Sequence, residues 1–303
     1  VPPKATAFEN GVLLLTLTLV TMLYAMSVTI ANVSLPQIKG ALSATTDQIA
    51  LIVTFNIIAT AVATPMTGWL TARFGRRHVM IWSVAGFTIA SFLCGTATSL
   101  DQLVIYRFMQ GACGAPLVPL SQAIVIDSFP REKVASATAI YGMGVVLGPI
   151  LAPTIGGYLS ETYSWRWVFF MIVPCGLASL AGVMAFIKRR RSRPSAHLDW
   201  TGFIALALAI AAFQFLLDRG QRLDWFDNWQ IIACCWVAVL GFYVFISHSL
   251  TSDRPFLNPR LLTKRNYTLG LCFAFVFLNT SNLFLFTLPL VSLAKGSVPL
   301  FVL

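Results

Sequence analysis

The chain has 303 residues, of which 57% are hydrophobic and 11% are charged, and its mean hydropathy is +0.78. Soluble domains carry about 25% charged residues, so this composition excludes an ordinary soluble enzyme and indicates an integral membrane protein. The net charge of +10 does not indicate nucleic-acid binding, because the basic residues lie between apolar runs, as in the cytoplasmic loops of membrane proteins.

A helix needs about 20 apolar residues to cross a bilayer, and nine runs of the chain meet or approach that length. No cleavage-like site follows the first run, so we expect a retained span and not a signal peptide. The predicted spans are Gly11–Val33, Ile49–Leu70, Val79–Thr96, Leu103–Phe129, Val134–Leu159, Val168–Ile187, Thr201–Leu217, Trp229–His248 and Tyr267–Val291.

The loops predict the orientation of these spans. Loops and termini on one side hold 15 Lys and Arg residues and those on the other side hold 5; Arg107, inside a span, completes the 21. Cytoplasmic loops carry the excess of basic residues, so the N-terminus is predicted to lie in the cytoplasm.

The first span carries a polar stripe. Thr21, Tyr24, Thr29 and Asn32 recur at helical spacing on one broad face. Such a stripe faces a wet cavity, or it forms interhelical hydrogen bonds that only hold the bundle together. On the first interpretation Tyr24, Thr29 and Asn32 are candidates for a substrate cavity.

The loop after the second span combines glycines with arginines. Gly68 and Gly75 allow a tight turn, and Arg73, Arg76 and Arg77 give it a strong positive charge. The loop is a candidate gate at the cytoplasmic surface, and an ordinary positive-inside loop that contacts lipid headgroups would have the same composition.

The fourth span contains Arg107, the only basic residue inside a predicted span. An arginine at that depth should face protein or water, so it is a candidate for a fixed charge that tunes a proton or substrate site. A buried structural pair, or snorkelling to the outer surface, is the alternative. Gln110 lies one turn further on and is a fourth candidate for the cavity wall.

Asp127 ends the same span near the cytoplasm and is the only acid in the first six predicted spans. We hypothesise that it clamps Arg73 when the inner gate is closed, and with Arg107 it forms the candidate charge relay. A carboxylate solvated among the headgroups is the alternative.

The fifth span has a ridge of small residues. Gly144, Gly148, Ala152 and Gly156 recur every four residues, so a second helix can approach at backbone distance. Pro149 and Pro153 each remove a backbone donor and are expected to bend the helix. The stretch ends at Gly157. It is a place where helices could slide or rock, and close packing alone is the simpler interpretation.

The basic run after the sixth span is the strongest domain boundary. We expect a six-span unit over residues 1–187, a cytoplasmic linker over 188–200, two further spans within 201–250, and a lead-in with one more span over 251–303. The six cysteines lie within apolar runs and the three histidines at span ends or in loops. Neither set has the spacing of a metal site, and none is predicted.

Three motifs in order resemble those of the major facilitator superfamily. The loop at 68–78 resembles Gly-x-x-x-Asp-Arg-x-Gly-Arg-Arg, with Ala72 in place of the acid. The fourth span resembles Leu-x-x-x-Arg-x-x-Gln-Gly-x-Gly-Ala, and 152–157 resembles the (Gly/Ala)-Pro-x-x-Gly-Gly antiporter motif of exporters. The additional spans within 201–250 resemble those of the fourteen-span drug:proton antiporters of the EmrB/QacA type, with the chain ending after the first span of the second half.

The resemblance implies an all-α membrane fold: a six-helix bundle of two inverted three-helix repeats, two linker helices and a ninth span. It implies proton-coupled efflux of hydrophobic or amphiphilic drugs across a bacterial inner membrane, driven by the proton motive force without a cofactor. A periplasmic adaptor and an outer-membrane channel are the implied partners. The family usually has Asp where this chain has Ser27, which cannot carry a proton. A non-transporting fragment or scaffold that packs against a partner is the alternative.

Overall fold

The computed structural model describes residues 7–187, 198–252, 255–257, 263–273 and 276, and helices and short connections account for them, with no strand in these ranges. The helices are α1 Ala7–Val33, α2 Leu35–Ala41, α3 Thr46–Phe74, α4 Arg76–Thr96, α5 Leu100–Gly114, α6 Leu117–Ser128, α7 Arg131–Thr162, α8 Trp167–Phe170, α9 Ile172–Phe186, α10 Trp200–Arg219 and α11 Trp229–Thr251.

Eight helical segments of the described ranges are long and apolar enough to cross a membrane. They match the first eight predicted spans, which confirms the all-helical membrane fold. The ninth predicted span, Tyr267–Val291, falls largely outside the described residues, although 265–273 are helical. Most of the predicted basic linker also lies outside them, so the division into domains stays a prediction.

Two connections differ from the prediction. The fourth span is not one helix: α5 ends at Gly114 and α6 begins at Leu117, because Pro116 has no N–H to continue the hydrogen-bond ladder. A short helix, α2, lies between the first two spans, and a capping box of Thr45 and Gln48 then starts α3. The break after Gly114 leaves the residues before it as a separate rigid helix.

The small-residue ridge of α7 packs against α1. Gly144, Gly148, Ala152 and Gly156 are all buried there. A Cβ atom at Gly148 would lie 2.6 Å from the carbonyl oxygen of Met22, so the two backbones meet without an intervening side chain. The contact lies within one bundle and is the close packing that the sequence offered as the simpler interpretation. Sliding at this contact stays a prediction.

The other side of α7 is open. Met143, Val146, Leu147 and Ile150 are exposed and apolar, and a Cβ atom at Gly142 or at Gly157 would meet nothing within 4 Å. Pro149 and Pro153 lie inside α7, which continues past both of them to Thr162. The helix therefore has one face committed to α1 and an opposite apolar face free for lipid or for further protein.

The outer pair, α10 and α11, is attached to the bundle through α3. Arg219, at the end of α10, is buried and donates from Nη2 to the carbonyl oxygen of Asp47 at 2.8 Å. The carboxylate of Asp218 accepts a hydrogen bond from Thr54 in the third turn of α3. The pair is therefore held to the first bundle by polar contacts at one end.

At the other end of this pair, the carboxylate of Asp199 collects three donors: the Gly202 N–H at 3.0 Å, the His248 ring at 2.9 Å and the Phe256 N–H at 3.1 Å. Burial alone raises the pKa of the Asp199 carboxyl, but the three hydrogen bonds outweigh it and hold the pKa below its ordinary value. Asp199 thus joins the start of α10, the end of α11 and the chain beyond.

We predict that Gly148→Ala lowers the stability of the purified protein by about 1–3 kcal/mol, since the added methyl has no room against the backbone of α1. Gly142→Ala is the matched control on the same helix, and its open surroundings should leave stability unchanged or slightly raised. Thermal unfolding in one detergent measures both. Equal effects of the two substitutions would contradict the ridge contact.

Candidate functional site

The centre of the site is Arg107. It is the eighth residue of α5, roughly 10 Å along the helix from its start, and it is 1% exposed. Its Nη1 donates to Oε1 of Gln110 at 2.5 Å and lies 3.5 Å from the carbonyl oxygen of Ser27 on α1. The guanidinium lies over the ring of Phe169, 5.8 Å from its centroid. Arg107 therefore points into the bundle and away from lipid.

Two donors of Arg107 are unsatisfied. Within the described part of the chain, neither Nε nor Nη2 has a hydrogen-bond acceptor. An unpaired buried donor costs about 1–3 kcal/mol, and an arginine keeps its charge at any physiological pH. The bundle thus holds a permanent cation that its own hydrogen bonds only partly satisfy.

Gln110 fixes the orientation of this cation. Its Nε2 donates to Oγ of Ser91 on α4 at 2.7 Å, and that hydroxyl donates to the carbonyl oxygen of Phe87 at 2.7 Å. The sequence led us to expect Gln110 in a cavity wall. It is only 1% exposed, so that expectation is wrong. Instead it links α5 to α4 and holds the guanidinium.

The backbone around Arg107 is fastened to α3. Asn56 is buried and donates from Nδ2 to the carbonyl oxygen of Arg107 at 2.7 Å. One turn further along α3, the hydroxyl of Thr60 donates to the carbonyl oxygen of Gly111 at 3.2 Å. The helices touch so closely that a Cβ atom at Gly111 would overlap the backbone of Asn56. Arg107 therefore sits on a rigidly held stretch of α5.

No acid lies close to Arg107 along any described span. Every Asp or Glu of the eight spanning segments is within three residues of a helix end. The titratable groups near the guanidinium are Cys94 and Tyr24, a thiol and a phenol that are neutral in their ordinary ranges. The helix-end acids are Glu9, Asp47, Asp101, Asp127, Glu132, Glu161 and Asp218.

The polar stripe of α1 is divided by the structure. Thr21 is buried and donates to carbonyl oxygens of its own helix. Tyr24 is half-buried, with its ring against Phe87 and its hydroxyl 3.4 Å from Thr60. Thr29 is half-buried and Asn32 is exposed. Thr29 and Asn32 thus keep access to the surface of the bundle, whereas Tyr24 packs between α4 and α3 through Phe87 and Thr60.

The basic loop is a tight junction between α3 and α4. Gly75 has φ 84°, a backbone conformation that residues with a side chain disfavour. It is the single residue between the end of α3 at Phe74 and the start of α4 at Arg76. Arg76 forms an ion pair with Asp127, and Nη2 of Arg77 donates to the carbonyl oxygen of Met184 on α9 at 2.6 Å. Arg73, in the last turn of α3, and Gly68 are both exposed.

The acid at the end of α6 therefore meets the basic loop, as the clamp hypothesis requires, and it forms an ion pair with Arg76. The clamp between Asp127 and Arg73, which the hypothesis named, stays a prediction. The ion pair is about one-third exposed on each side, so it can open without a large loss of stability.

Several supporting residues were not identified from the sequence. Asn56 and Ser91 are polar residues within apolar spans, a pattern that indicates interhelical hydrogen bonds. No sequence pattern indicates the contact of Phe169 with Arg107 or that of the Met184 carbonyl with Arg77, and only the structure shows them.

We predict that Arg107→Met raises the stability of the protein by about 1–3 kcal/mol, because it removes a buried charge with two unsatisfied donors. Thermal unfolding in detergent tests this. Gln110→Leu, which removes the acceptor and keeps the charge, is the matched control and should lower stability. If Arg107→Met were instead the more damaging change, the arginine would be a structural residue and not a functional one.

The chain matches the family model described as Major Facilitator Superfamily over residues 17–301. It is 36% identical to the multidrug export protein EmrB of Escherichia coli K12, over 88% of this chain and 52% of that protein. It is 37% identical to the fatty acid resistance protein FarB of Neisseria gonorrhoeae, over 84% and 51%. The chain thus spans about half the length of these relatives.

Among solved structures, a peptide transporter POT in complex with sulfate has a TM-score of 0.58 at 16% identity, covering 82% of this chain and 54% of that one. A bacterial homolog of the human lysosomal transporter Spinster, inward-facing and unoccupied, has a TM-score of 0.51 at 20% identity, covering 82% and 63%. At these identities the likeness concerns the fold. The family model, which covers nearly the whole chain, shows that this protein belongs to the Major Facilitator Superfamily.

Proposed function

We propose that the chain is the N-terminal part of an exporter that moves hydrophobic or amphiphilic compounds across a bacterial inner membrane by alternating access, driven by the proton gradient. The observation that carries this proposal is its similarity to proteins named for multidrug export, at 36% identity over 88% of the chain. The buried fixed charge and the paired loop at one membrane surface are consistent with this role.

The proposed orientation follows from the basic residues. The ends that carry Arg73 to Arg77 and the start of α7 would face the cytoplasm, together with the N-terminus. The junction of α3 and α4 would then lie at the inner mouth of the transport path. Asp199 and the start of α10 would lie on the same side.

The proposed substrate cavity lies near the midplane beside α1, α3, α5 and α7. The exposed apolar face of α7, opposite its ridge and α1, would face lipid or the rest of the transporter. Thr29 and Asn32 would contribute polar groups at the outer half of α1. The bundle itself is tightly packed through the contacts at Gly148 and Gly111, so it would move as a rigid body against the rest of the transporter.

Proton coupling requires a group that titrates, and Ser27 and Arg107 do not. Within the described residues the acids lie at helix ends, so the proposed carrier is one of these, with Asp127 the leading choice, or a residue outside the described ranges. Arg107 would supply the fixed charge of the proposed relay. If the host has two membranes, we propose a periplasmic adaptor and an outer-membrane channel as partners.

The proposal is tested by dye extrusion. Cells that lack their own exporters should extrude a neutral fluorescent dye such as Nile red when they carry this chain within its complete reading frame, and an uncoupler should abolish extrusion. Cells that carry the 303 residues alone provide the comparison. Extrusion that is absent from both, with normal membrane insertion, would favour a non-transporting scaffold.

The inner gate yields a separate prediction. Asp127→Asn removes the partner of Arg76 and should speed tryptic cleavage of the junction between α3 and α4 by up to about fivefold, since an exposed ion pair contributes about 0–1 kcal/mol. Glu132→Gln, which removes an acid at the same end, is the control. Unchanged cleavage and unchanged extrusion in the Asp127 variant would exclude a clamp.

A further inference from the structure

The charge of Arg107 has a consequence for what the cavity accepts. The guanidinium is held by Gln110 and lies roughly 10 Å along α5 from its start, and the titratable groups that act on it electrostatically are a thiol and a phenol and not a carboxylate. In water such a charge is screened within several ångströms, but apolar protein and lipid screen it far less. Its field therefore extends beyond its own contacts.

The size of this effect can be given as a ratio of binding constants. Two unit charges about 10 Å apart in a medium with an effective dielectric constant near 20 change a binding constant about 15-fold. An anion gains this factor and a cation loses it, so two molecules of the same shape and opposite charge differ by about two hundredfold. Direct contact with Arg107, which is 1% exposed, is not needed.

The local structure keeps this charge unneutralised. The nearest carbonyl on α1 belongs to Ser27, whose hydroxyl donates to Tyr24 O at 2.8 Å within its own helix. The acceptor that Arg107 does have, Gln110, is neutral and already bound to Ser91. The remaining charges of the described spanning segments lie near the ends of their helices.

We propose that Arg107 makes the cavity selective for anionic amphiphiles, then neutral ones, over cationic ones. It acts as a selectivity residue through its field, while apolar walls bind the rest of the molecule. This inference rests on the proposed function, which places a substrate cavity beside α1 and α5. It narrows the substrate class from amphiphiles in general to those whose polar group is negative or uncharged.

The test uses four versions of the protein, expressed from the complete reading frame and held in nanodiscs of zwitterionic lipid. The unaltered protein and Arg107→Lys carry the buried charge. Arg107→Gln removes it, and Gln110→Glu cancels it with a side chain of the same shape at the same 2.5 Å contact. The last two variants reach neutrality by different routes, so a packing defect in one would not be reproduced by the other.

The probes are dodecanoate, dodecanol and dodecyltrimethylammonium, which share one alkyl chain and differ in charge. Equilibrium dialysis at pH 7.5 against empty nanodiscs gives each binding constant, and dodecanol corrects for general loss of affinity. The expected anion-to-cation ratio is about one hundred or more in the unaltered protein and in Arg107→Lys. It should fall at least tenfold in both Arg107→Gln and Gln110→Glu.

Three results would overturn the inference: a ratio that is the same in all four proteins, a fall in only one of the two neutral variants, or no saturable binding of any probe. The measurement needs no proton gradient, so it is independent of the extrusion assay. If extrusion is sensitive to the uncoupler but the anion-to-cation ratio is the same in all four proteins, the inference fails and the proposed function stands. If the ratio changes as expected but no extrusion is seen, the inference stands and the proposed function fails.

Discussion

A permanent positive charge deep in an apolar bundle is the constraint around which the first half of the molecule is arranged. Arg107 cannot lose its proton, and the bilayer offers it no water. The guanidinium is instead contacted by Gln110, the carbonyl of Ser27 and the ring of Phe169, which come from three different spans. Ser91 in turn holds Gln110, and Asn56 holds the backbone of Arg107. The polar groups of α3, α4 and α5 therefore converge on one residue.

The helices of the bundle meet at two places where one backbone contacts the other directly, with no side chain between them. α7 meets α1 at Gly148, and α5 meets α3 at Gly111, in both cases where a methyl group would not fit. Lipid tails are as apolar as leucine, so membrane helices gain stability mainly where their backbones can approach. Two such contacts, one between α7 and α1 and one between α5 and α3, join these helices at backbone distance.

The sequence was sufficient for the spans and for the family, because length, apolar content and motif order are properties of the chain alone. It predicted that Arg107 would avoid lipid and that Asp127 would meet the basic loop. It did not predict that Gln110 would be buried, that Arg76 would form an ion pair with Asp127, or that the ridge of α7 would face α1. Periodicity tells which residues share a face, whereas the neighbour that covers the face depends on how the helices are placed. The break at Pro116 was not predicted either, and a proline alone does not indicate one, since α7 continues past Pro149 and Pro153.

The carboxylate of Asp199 ties three separate parts of the backbone to one point. Because α10 is anchored to α3 at its far end, this point is fixed relative to the first bundle. Phe256 therefore has a defined position and direction relative to the first bundle, so this stretch of backbone moves with that bundle and not independently of it.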